Sequence, residues 1–550
     1  MIKLGTFPLV TLLGAGLAAS LLAPPLLIAQ GAGTRGRAAG PAGADAITED
    51  QLRAHLSFIA SDLLEGRATG SRGLDVAGAF LASHLGRLGL RPAGDNGTFF
   101  QELALTRRRL DVAKTTLTIG KRTLTFGDDF VPGDAPGAAE GRVVYVGNGT
   151  VIRSRGLDPY KDLDVRGRIV VSHSGLPTGV SQDDLKGPRG KDWERTQDAA
   201  RDRGAAAVLF LPDFGALARW SANRDVRRSR ASLTVDAFDS NTAPALPSAT
   251  LSPLAISLLF SGQAIGPQEI FERAVRREPA PPFALSESAA VALTVAADDE
   301  RSTTRNIVAV LEGRDPRLKD EYVALGAHYD HLGVAGTPNA QGDTIFNGAD
   351  DDGSGTVGIL AVAEAMVRHP VRPRRSLIFV WHTGEEQGLW GARYFTEHPT
   401  VPIDRIVAQL NVDMIGRGRE PGEARGGPLA LTDRDSIYVV GSRRLSPAFG
   451  ALVERTNRRY LGLRYDYSLD DPSDPAQIYQ RSDHYQYARQ GIPIAFFFTG
   501  IHEDYHGLDD EIDRIDFTKM RRIVQTIYAT ARAVADDPAM SRRSADRTQP

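Results

Sequence analysis

Two adjacent glutamates, Glu385 and Glu386, follow an apolar run in the stretch SLIFVWHTGEEQG of this 550-residue chain. The run predicts a buried strand, so both carboxylates would lie where that strand ends. Like charges at the edge of a core raise each other's pKa and are costly to desolvate unless a cation or a proton compensates them. An isolated pair of glutamates on a surface turn would need no such partner. The rest of the sequence decides between these two interpretations.

Histidines and further acids follow other apolar runs in the C-terminal part of the chain. Eight of the 11 histidines lie at or after His328, although this part is less than half of the sequence. The motifs GAHYDHLG, NGADDDGSG, NVDMIG and YHGLDD supply the candidates His328, Asp330, Asp350, Asp351, Asp352, Asp413 and His506. Imidazoles and carboxylates are the ligands that a pair of divalent ions requires, and zinc fits them best. Such a metal pair would neutralise the two adjacent glutamates.

Strands that alternate with helices would bring these residues together. The runs EYVALGA, RSLIFVW, RIVAQLNV, DSIYVVG and PIAFFFTG predict strands, and GTVGILAVAEAMVRH and LSPAFGALVERTNRRY predict helices between them. This alternation predicts an α/β fold with a mostly parallel central sheet flanked by helices. Parallel sheets place their functional sites at the carboxyl ends of the strands, where the motifs occur.

Taken in order, the motifs HYDHLG, GADDDGSG, EEQG, NVDMIG and YHGLDDEID resemble those of the co-catalytic dizinc aminopeptidase family. That family also includes glutamate carboxypeptidase and the catalytically inactive transferrin receptor. Each motif alone is a weak signal, and together they are highly specific. The segments LLEGRATGSRG and LRPAGDNGTFFQ resemble the N-terminal portion of the same family, so the resemblance extends over most of the mature chain.

The resemblance implies a site with two Zn²⁺ ions per chain. One ion would be held by His328 and Asp413, and the other by Glu386 and His506. Asp351, the middle acid of the DDD run, would bridge the two ions.

The resemblance also implies catalytic roles. Glu385 would act as the general base, taking a proton from a metal-bridging water and passing it to the leaving amine. Asp330 would orient the His328 imidazole through its carboxylate. Tyr505, beside His506, would hydrogen-bond the developing oxyanion, and a cis peptide bond would precede Asp352.

The implied function is a zinc-dependent exopeptidase acting on peptides, with an aminopeptidase favoured. A metallocarboxypeptidase of the same fold is the alternative, since it needs cationic donors and the chain has many arginines, including Arg417, Arg419 and Arg481. A glutaminyl cyclase, expected to bind one zinc, is less favoured because His328 and Asp413 are both present. An inactive receptor-like binding protein is less favoured because no expected ligand is lost.

Other residues near the motifs receive a structural interpretation. His331, His382, His484 and His502 are left out of the metal set, because a histidine is more often structural than catalytic. The RSDH stretch, with Asp483 and His484, could line the substrate pocket. A serine nucleophile in a GxSxG motif and a cysteine nucleophile are both excluded, since neither GxSxG nor any cysteine occurs.

The composition and the N-terminal sequence limit which binding partners and which cellular compartment we expect for the protein. Hydrophobic content of 42%, charged content of 24% and a net charge of -3 describe a soluble globular protein without a basic field for nucleic acid. Residues 1–32 resemble a secretory signal peptide, although an uncleaved N-terminal anchor remains an alternative. We therefore expect a secreted or periplasmic protein with no stable membrane insertion after cleavage. The absence of cysteine excludes disulfides.

The remaining chain is divided as follows. A linker is expected at 33–47, the N-terminal part of the peptidase domain at 48–136, an insert at 137–282, the catalytic domain at 283–534 and a disordered tail at 535–550. The insert, predicted as a smaller β-rich α/β unit, resembles a protease-associated domain, which by analogy would limit access to the active site. A capping box from Thr48 to Gln51 predicts one helix, and a second is expected from about Leu74 to Leu88.

Overall fold

The structure, a computed structural model, describes residues 43–540 except 182–183, 186–188, 230, 240–243, 421, 423–425 and 473. The predicted signal peptide, at residues 1–32, and most of the predicted linker lie outside the described residues. Within the described ranges, no helix combines the length and the apolar character needed to cross a membrane.

A mixed sheet of ten strands forms the centre of the described fold. Its strands are β1 (Arg91–Pro92), β2 (Phe100–Leu110), β12 (Ser232–Val235), β16 (Ala297–Leu311), β17 (Tyr322–His328), β20 (Ser376–His382), β21 (Ile406–Val412), β22 (Ser436–Val440), β23 (Arg464–Asp466) and β24 (Ile494–Phe498). The order is β12-β2-β16-β20-β17-β21-β24-β22-β23, with β1 paired to β16. The four strands β20, β17, β21 and β24 are mutually parallel. The β1, β2, β12 and β16 strands add antiparallel pairs at one side.

Helices cover both faces of this sheet, which confirms the predicted α/β fold. They are α1 (Glu49–Ile59), α2 (Arg72–Arg87), α9 (Gly355–Arg368), α10 (Trp390–Glu397), α11 (Pro447–Arg459), α12 (His484–Arg489) and α13 (Phe517–Asp536). Side chains of α1, α2, α9, α11 and α13 form a buried cluster with one face, and α10 and α12 pack on the other. Because the central strands are buried on both faces, they are nearly continuous apolar runs.

The two predicted N-terminal helices are present. The Gln51 amide donates to Thr48 Oγ1 at 3.2 Å, as the predicted cap requires, whereas the Gln51 side chain donates to Glu364 instead. The second helix begins at Arg72, two residues earlier than predicted, because Ser71 caps it.

The chain between β2 and β16 forms two smaller sheets with a shared apolar core. Their strands are β3 (Thr116–Ile119), β4 (Arg122–Leu124), β5 (Phe130–Pro132), β6 (Gly137–Gly141), β7 (Val143–Tyr145), β9 (Ile169–His173), β11 (Ala207–Leu211), β13 (Ser248–Leu251), β14 (Phe283–Ala284) and β15 (Val291–Val295). The described residues of this region also form a two-stranded sheet of β8 (Val151–Ile152) and β10 (Trp193–Glu194). Its helices are α3 (Thr196–Asp202), α4 (Phe214–Ala218), α5 (Trp220–Ser229), α6 (Asp236–Asp239), α7 (Pro253–Phe260) and α8 (Pro267–Arg276).

Strand pairing extends the insert beyond its predicted limits of 137–282. The β15 strand pairs with β6, which lies inside these limits, and with β3, and β5 pairs with β13. Strands on both sides of each predicted boundary therefore belong to the same small sheets. We refer to residues 111–296 as the insert.

The insert is attached at the carboxyl end of β20. Ile307 to Leu311 pair with β20, but the β2 and β16 ribbon continues from Ile307 out to the pair Ala297 and Leu110. This outer half of the ribbon projects past the end of β20 and connects to the insert. The small hairpin of β18 (Gly333–Val334) and β19 (Ile345–Phe346) follows β17 near the same edge.

The C-terminal boundary also differs from the prediction. Ala535 and Met540 are buried, and the fully buried Arg375 donates to the backbone carbonyls of Asp537 and Met540. The disordered tail predicted for 535–550 is therefore wrong for residues 535–540, which are fixed by these contacts. Residues 541–550 lie outside the described part of the chain.

Candidate active site

The predicted metal ligands converge at the carboxyl ends of the parallel strands. His328 ends β17, Asp413 follows β21 directly, and Glu386 follows β20 by four residues. Asp351 lies in the turn before α9, and His506 lies in the loop after β24. Since β20, β17, β21 and β24 are adjacent in the sheet, all five side chains are brought to the same edge.

A first cluster is formed by His328, Asp351 and Asp413. The Nε2 atom of His328 lies 3.2 Å from Asp351 Oδ1 and 3.7 Å from Asp413 Oδ1. All three residues are buried, and their ligand atoms lie within 4.8 Å of one another. One imidazole nitrogen and two carboxylate oxygens at this spacing can hold a metal ion.

A second cluster uses the other oxygen of Asp351. The Nε2 atom of His506 lies 3.2 Å from Asp351 Oδ2 and 3.1 Å from Glu386 Oε2. Asp351 thus presents one carboxylate oxygen to each cluster, which is the arrangement of a bridging ligand. Its peptide bond to Asp352 is cis, as the resemblance led us to expect.

His331 also reaches the second cluster, although the sequence analysis left it out. Its Nδ1 atom lies 2.8 Å from Glu386 Oε1, and its ring is buried. With Asp351 and Glu386 it offers a second set of three close ligand atoms. The position of His331, three residues after His328 in HYDHLG, was the only sequence signal for this proximity.

The charges of the side chains in the two clusters favour the binding of a cation. Although burial lowers it, hydrogen bonds to Asp351 and Glu386 raise the pKa of His506 to about 10. Burial also opposes the charged form of Asp351, yet hydrogen bonds from His328 and His506 hold its pKa well below the usual range. The carboxylates therefore require positive charge between them, from protonated imidazoles or from metal ions, and nitrogen and oxygen donors of this kind suit zinc.

Glu386 is fixed inside the second cluster. Burial and the nearby Asp351 both raise its pKa, but hydrogen bonds from His331 and His506 outweigh them, so the pKa of Glu386 falls below its ordinary value. A carboxylate that stays ionised between two imidazoles is suited to be a ligand.

Glu385 has the opposite environment. Burial raises its pKa well above the ordinary value, and Glu386 and Asp413 add to this effect against the opposing influence of His328. Its side chain lines a cavity together with His328 and Asp413. A carboxylate with a raised pKa at such a place can accept and return a proton.

Asp330 links the first cluster to Glu385. Its Oδ1 accepts a hydrogen bond from the Glu385 amide at 3.1 Å, and its Oδ2 accepts one from Thr69 Oγ1 at 2.8 Å. The Nδ1 atom of His328 lies 3.2 Å from the Asp330 backbone carbonyl, whereas the carboxylate is 3.8 Å away. The carbonyl, rather than the expected carboxylate, therefore makes the closer contact with the imidazole. Burial raises the pKa of Asp330 to about 6.

Tyr505 lies beside the second cluster. Its ring stacks on that of His506 with centroids 3.9 Å apart. Burial raises the pKa of its phenol, and the carboxylates of Asp351 and Glu386 raise it further. The phenol therefore keeps its proton and can donate a hydrogen bond into the cavity.

The cavity between the clusters and the neighbouring loops has a volume of about 40 Å³. Its apolar wall is formed by Met414, Ile478, Phe496, Phe498 and Ile501. Arg481 lines the same cavity and lies 3.4 Å from the Tyr505 hydroxyl. Arg417 instead pairs with Asp504, and Arg419 pairs with Asp433.

The RSDH stretch contributes differently from the expectation. Ser482 lines the cavity, and its hydroxyl donates to Asp413 Oδ2 at 2.6 Å. Asp483 and His484 lie behind the wall, where Asp483 is 3.2 Å from His382 Nδ1. Burial lowers the pKa of His484 to about 3, so this ring is a neutral part of the core.

Arg67 is a site residue that sequence reasoning missed. It is fully buried and donates to the carbonyls of Tyr329, Asn347 and Gly348, which belong to the two loops next to His328 and Asp351. It also donates to Ile59 O at the end of α1. The segment LLEGRATGSRG, which carries Arg67 and the Thr69 partner of Asp330, was noted only as a family-like stretch.

Asp510 holds the bridging loop from the other side. Its carboxylate accepts hydrogen bonds from the amides of Asp350 and Asp351 at 3.0 to 3.1 Å. Asp352 accepts from the amides of His328 and Met414 and so ties this loop to both strand ends. Backbone contacts on both sides thereby position the carboxylate of Asp351, which lies between the two clusters.

The α/β sheet thus carries, at its carboxyl edge, two clusters of side chains that can hold metal ions. Residues 306–531 match the sequence model of Peptidase family M28. This segment of the chain is therefore similar to peptidase family M28.

Similar proteins include curated fungal sequences. The chain is 34% identical over 214 residues to the probable leucine aminopeptidase 2 of Aspergillus oryzae, covering 39% of this chain and 37% of that protein. It is 28% identical over 238 residues to the probable leucine aminopeptidase of Trichophyton verrucosum, covering 42% of this chain and 57% of that protein. The matched regions thus span less than two thirds of these relatives.

Among solved structures, the aminopeptidase from Aneurinibacillus sp. strain AM-1 superposes with a TM-score of 0.51. The match covers 92% of this chain and 98% of that chain at 16% sequence identity. At this level of identity the likeness shows that the two chains share a fold.

Proposed function

We propose that the chain is a zinc-dependent aminopeptidase that hydrolyses the N-terminal residues of peptides. The observation that carries the proposal is the division between Glu385, which lines the cavity, and Glu386, which is fixed between two imidazoles. The two fungal relatives are named as probable leucine aminopeptidases, and these names support the same activity.

We further propose that two zinc ions bind, one to His328 and Asp413 and one to Glu386 and His506, with Asp351 shared. Bound zinc would polarise the scissile carbonyl and lower the pKa of a water molecule towards about 7. The spacing of the carboxylate and imidazole atoms supports this assignment.

The chain's own residues then have separate tasks. Glu385 accepts a proton from the attacking water and returns it to the leaving amine. Tyr505 donates a hydrogen bond to the oxyanion that develops on the scissile carbonyl. Asp330 accepts a hydrogen bond from the Glu385 amide and so holds the loop that presents the base.

The composition of the cavity wall supports cleavage from the amino end. The carboxylates of Asp351, Glu385 and Asp413 line it and would attract a free α-ammonium group. A carboxypeptidase would instead need cationic donors, and Arg481 is the arginine among the lining residues. The apolar remainder of the wall suits an apolar side chain.

We also propose that residues 1–32 are a signal peptide and that the mature enzyme is secreted or periplasmic. The apolar stretch near the N-terminus supports this assignment.

The test is hydrolysis of a leucine-terminated peptide and of its N-acetylated copy by the purified mature chain supplied with zinc, with and without a chelator. We expect chelator-sensitive cleavage of the free-amine peptide alone, because acetylation removes the ammonium group. Cleavage of both peptides from the carboxyl end would establish a carboxypeptidase instead. No cleavage of either peptide would refute the proposed activity.

A further inference from the structure

The insert contacts the central sheet through residues 232–238, which we call the strap. Its first half, β12, pairs antiparallel with β2 from Ser232 opposite Arg108 to Val235 opposite Leu105. Immediately afterwards, the Asp236 carboxylate accepts a hydrogen bond from Thr106 Oγ1 at 2.7 Å and pairs with Arg301. Backbone and side-chain contacts together therefore fix the strap on the outer half of the ribbon.

The apolar side chains of the strap cover the helix that follows the two glutamates. Val235 is 2% exposed and clusters with Leu103 and Leu105 of β2. Phe238 packs against the same cluster, together with Trp390 and Tyr394 of α10. The guanidinium carbon of Arg393, also on α10, lies 3.8 Å from the centroid of the Phe238 ring. The strap thus holds one side of α10.

Trp390, the first residue of α10, is in direct contact with the loop of the proposed base. Its amide donates to Gly384 O at 2.9 Å, and the amide of Leu389 donates to Glu385 O at 2.9 Å. Gly384 has a φ of +66°, and a Cβ atom there would lie 3.1 Å from Trp390 Cβ. The backbone next to Glu385 therefore lies directly against Trp390.

A second set of contacts leads from the strap to the same loop. Leu105, which Val235 covers, lies 3.3 Å from the place that a Cβ atom on Gly70 would occupy. The adjacent Thr69 donates to Asp330, whose other oxygen accepts from the Glu385 amide. Both sets of contacts end at Glu385.

We propose that the strap is a positioning element for Glu385, with Val235 and Phe238 as positioning residues supplied by the insert. By packing on Trp390 and Leu105, these side chains keep the loop of residues 383–390 in the conformation that presents the Glu385 carboxylate to the cavity. The inference rests on the proposed function, and it assigns the insert a task beyond restricting access. Small displacements of a catalytic group reduce the rate of the chemical step more than they reduce ground-state binding.

The test compares four variants of the full chain. Phe238→Ala removes the contact with Arg393 and the cluster, whereas Phe238→Leu keeps an apolar side chain there. Phe214→Ala is the matched control, because Phe214 belongs to the same insert and is 74% exposed. Asp236→Asn is a further variant that weakens the strap from its polar side and leaves the apolar core intact.

Two independent readouts are measured. Hydrogen exchange of the amides of Gly388, Leu389, Trp390 and Gly391, which donate to carbonyls of residues 383–385, reports the loop directly. For Phe238→Ala we expect faster exchange of these amides and a kcat about tenfold lower, with KM changed by less than about twofold. Zinc content should stay unchanged, Phe238→Leu should recover most of kcat, and Phe214→Ala should behave as the parent chain.

The outcomes separate this inference from the proposed function. Unchanged exchange and unchanged kcat in both Phe238→Ala and Asp236→Asn would overturn the positioning role. If Phe238→Ala does not fold, the same two measurements on Asp236→Asn decide the matter. A parent chain without aminopeptidase activity would refute the proposed function, whereas the exchange comparison would still test whether the strap holds the loop.

Discussion

The carboxyl groups of Glu385 and Glu386 have opposite pKa shifts although the two residues are adjacent. Burial raises the pKa of both, but only Glu386 has two imidazoles, those of His331 and His506, to outweigh burial. Glu385 is directed into the cavity with His328 and Asp413. The pair is thus tolerated at the end of a buried strand because the carboxylate of Glu386 is hydrogen-bonded to two imidazoles and the carboxyl group of Glu385 can hold a proton.

The first prediction concerns Glu385→Gln. The amide has nearly the same shape but cannot accept a proton, so we expect kcat to fall by about 10² to 10⁴-fold. Zinc content should not change, because the proposed ligands are left intact. Steady-state kinetics and elemental analysis of the purified variant provide the measurement.

Glu397→Gln is the matched control, since Glu397 is exposed at the end of α10 and bonds to Arg393. It should retain the kcat of the parent chain. Normal turnover by Glu385→Gln would refute the general-base role of Glu385. Loss of zinc from that variant would indicate that Glu385 is a metal ligand.

The second prediction separates the two histidines near Glu386. His506 Nε2 contacts both Asp351 and Glu386, whereas His331 bonds through Nδ1 to Glu386 alone. We expect His506→Ala to bind one zinc fewer. His331→Ala should keep both ions but bind the second about 10 to 100-fold more weakly, as loss of a group that orients a ligand does.

Zinc titration against a competing chelator measures both quantities. His398→Ala serves as the control because His398 is exposed directly after α10 and lies outside the clusters. The reverse result, with His331→Ala losing an ion and His506→Ala retaining two, would exchange the roles of the two histidines.

Local sequence patterns were sufficient to predict the strands and helices that carry the proposed metal ligands. The apolar runs of the central strands are continuous, because each strand is buried on both faces, and His328 and Asp413 follow directly where two of these runs end. The positions of these residues at the strand ends could therefore be predicted from local patterns. Only the order of the strands in the sheet required information about distant parts of the chain. The cis bond before Asp352 came from the family resemblance.

Long-range contacts were not accessible from the sequence. Arg67 donates to carbonyls more than 260 residues away, and nothing in LLEGR specifies those acceptors. The strand pairing around the insert was not accessible for the same reason, since β3 and β5 look like independent short strands until their distant partners are known. Asp537 and Met540 are fixed by Arg375, a residue from another part of the chain.

The third prediction concerns the stability supplied by Arg67. Arg67→Met keeps much of the side-chain volume but leaves the carbonyls of Tyr329, Asn347 and Gly348 without their donor inside the core. We expect the free energy of unfolding to fall by about 3 kcal/mol. Urea unfolding followed by circular dichroism measures the change.

Arg87→Met is the control for this measurement, because the Arg87 side chain is 65% exposed. It should change the free energy of unfolding by less than about 0.5 kcal/mol. A loss in Arg67→Met as small as that of the control would show that water replaces the guanidinium at those carbonyls.

The fourth prediction concerns the pH dependence of stability through Lys519. This side chain is fully buried, and its ammonium group donates to the carbonyl and the hydroxyl of Thr432 at 2.8 Å each. Burial lowers the pKa of Lys519 from 10.5 to about 7, against the opposing effect of Asp350 and Asp516. Between these two values the unfolded chain binds more protons than the folded chain, so this group makes stability rise with pH in that interval.

Lys519→Met should therefore flatten the rise in the free energy of unfolding between about pH 7 and about pH 10. Urea unfolding at a series of pH values, for the parent chain and for the variant, isolates the contribution of this one group as a difference of slopes. Lys319→Met is the matched control, since the Lys319 side chain is 43% exposed and should leave the slope unchanged. Equal slopes for the parent chain and Lys519→Met would mean that the ammonium group stays charged in the folded protein, held there by Asp350 and Asp516 more strongly than burial opposes it.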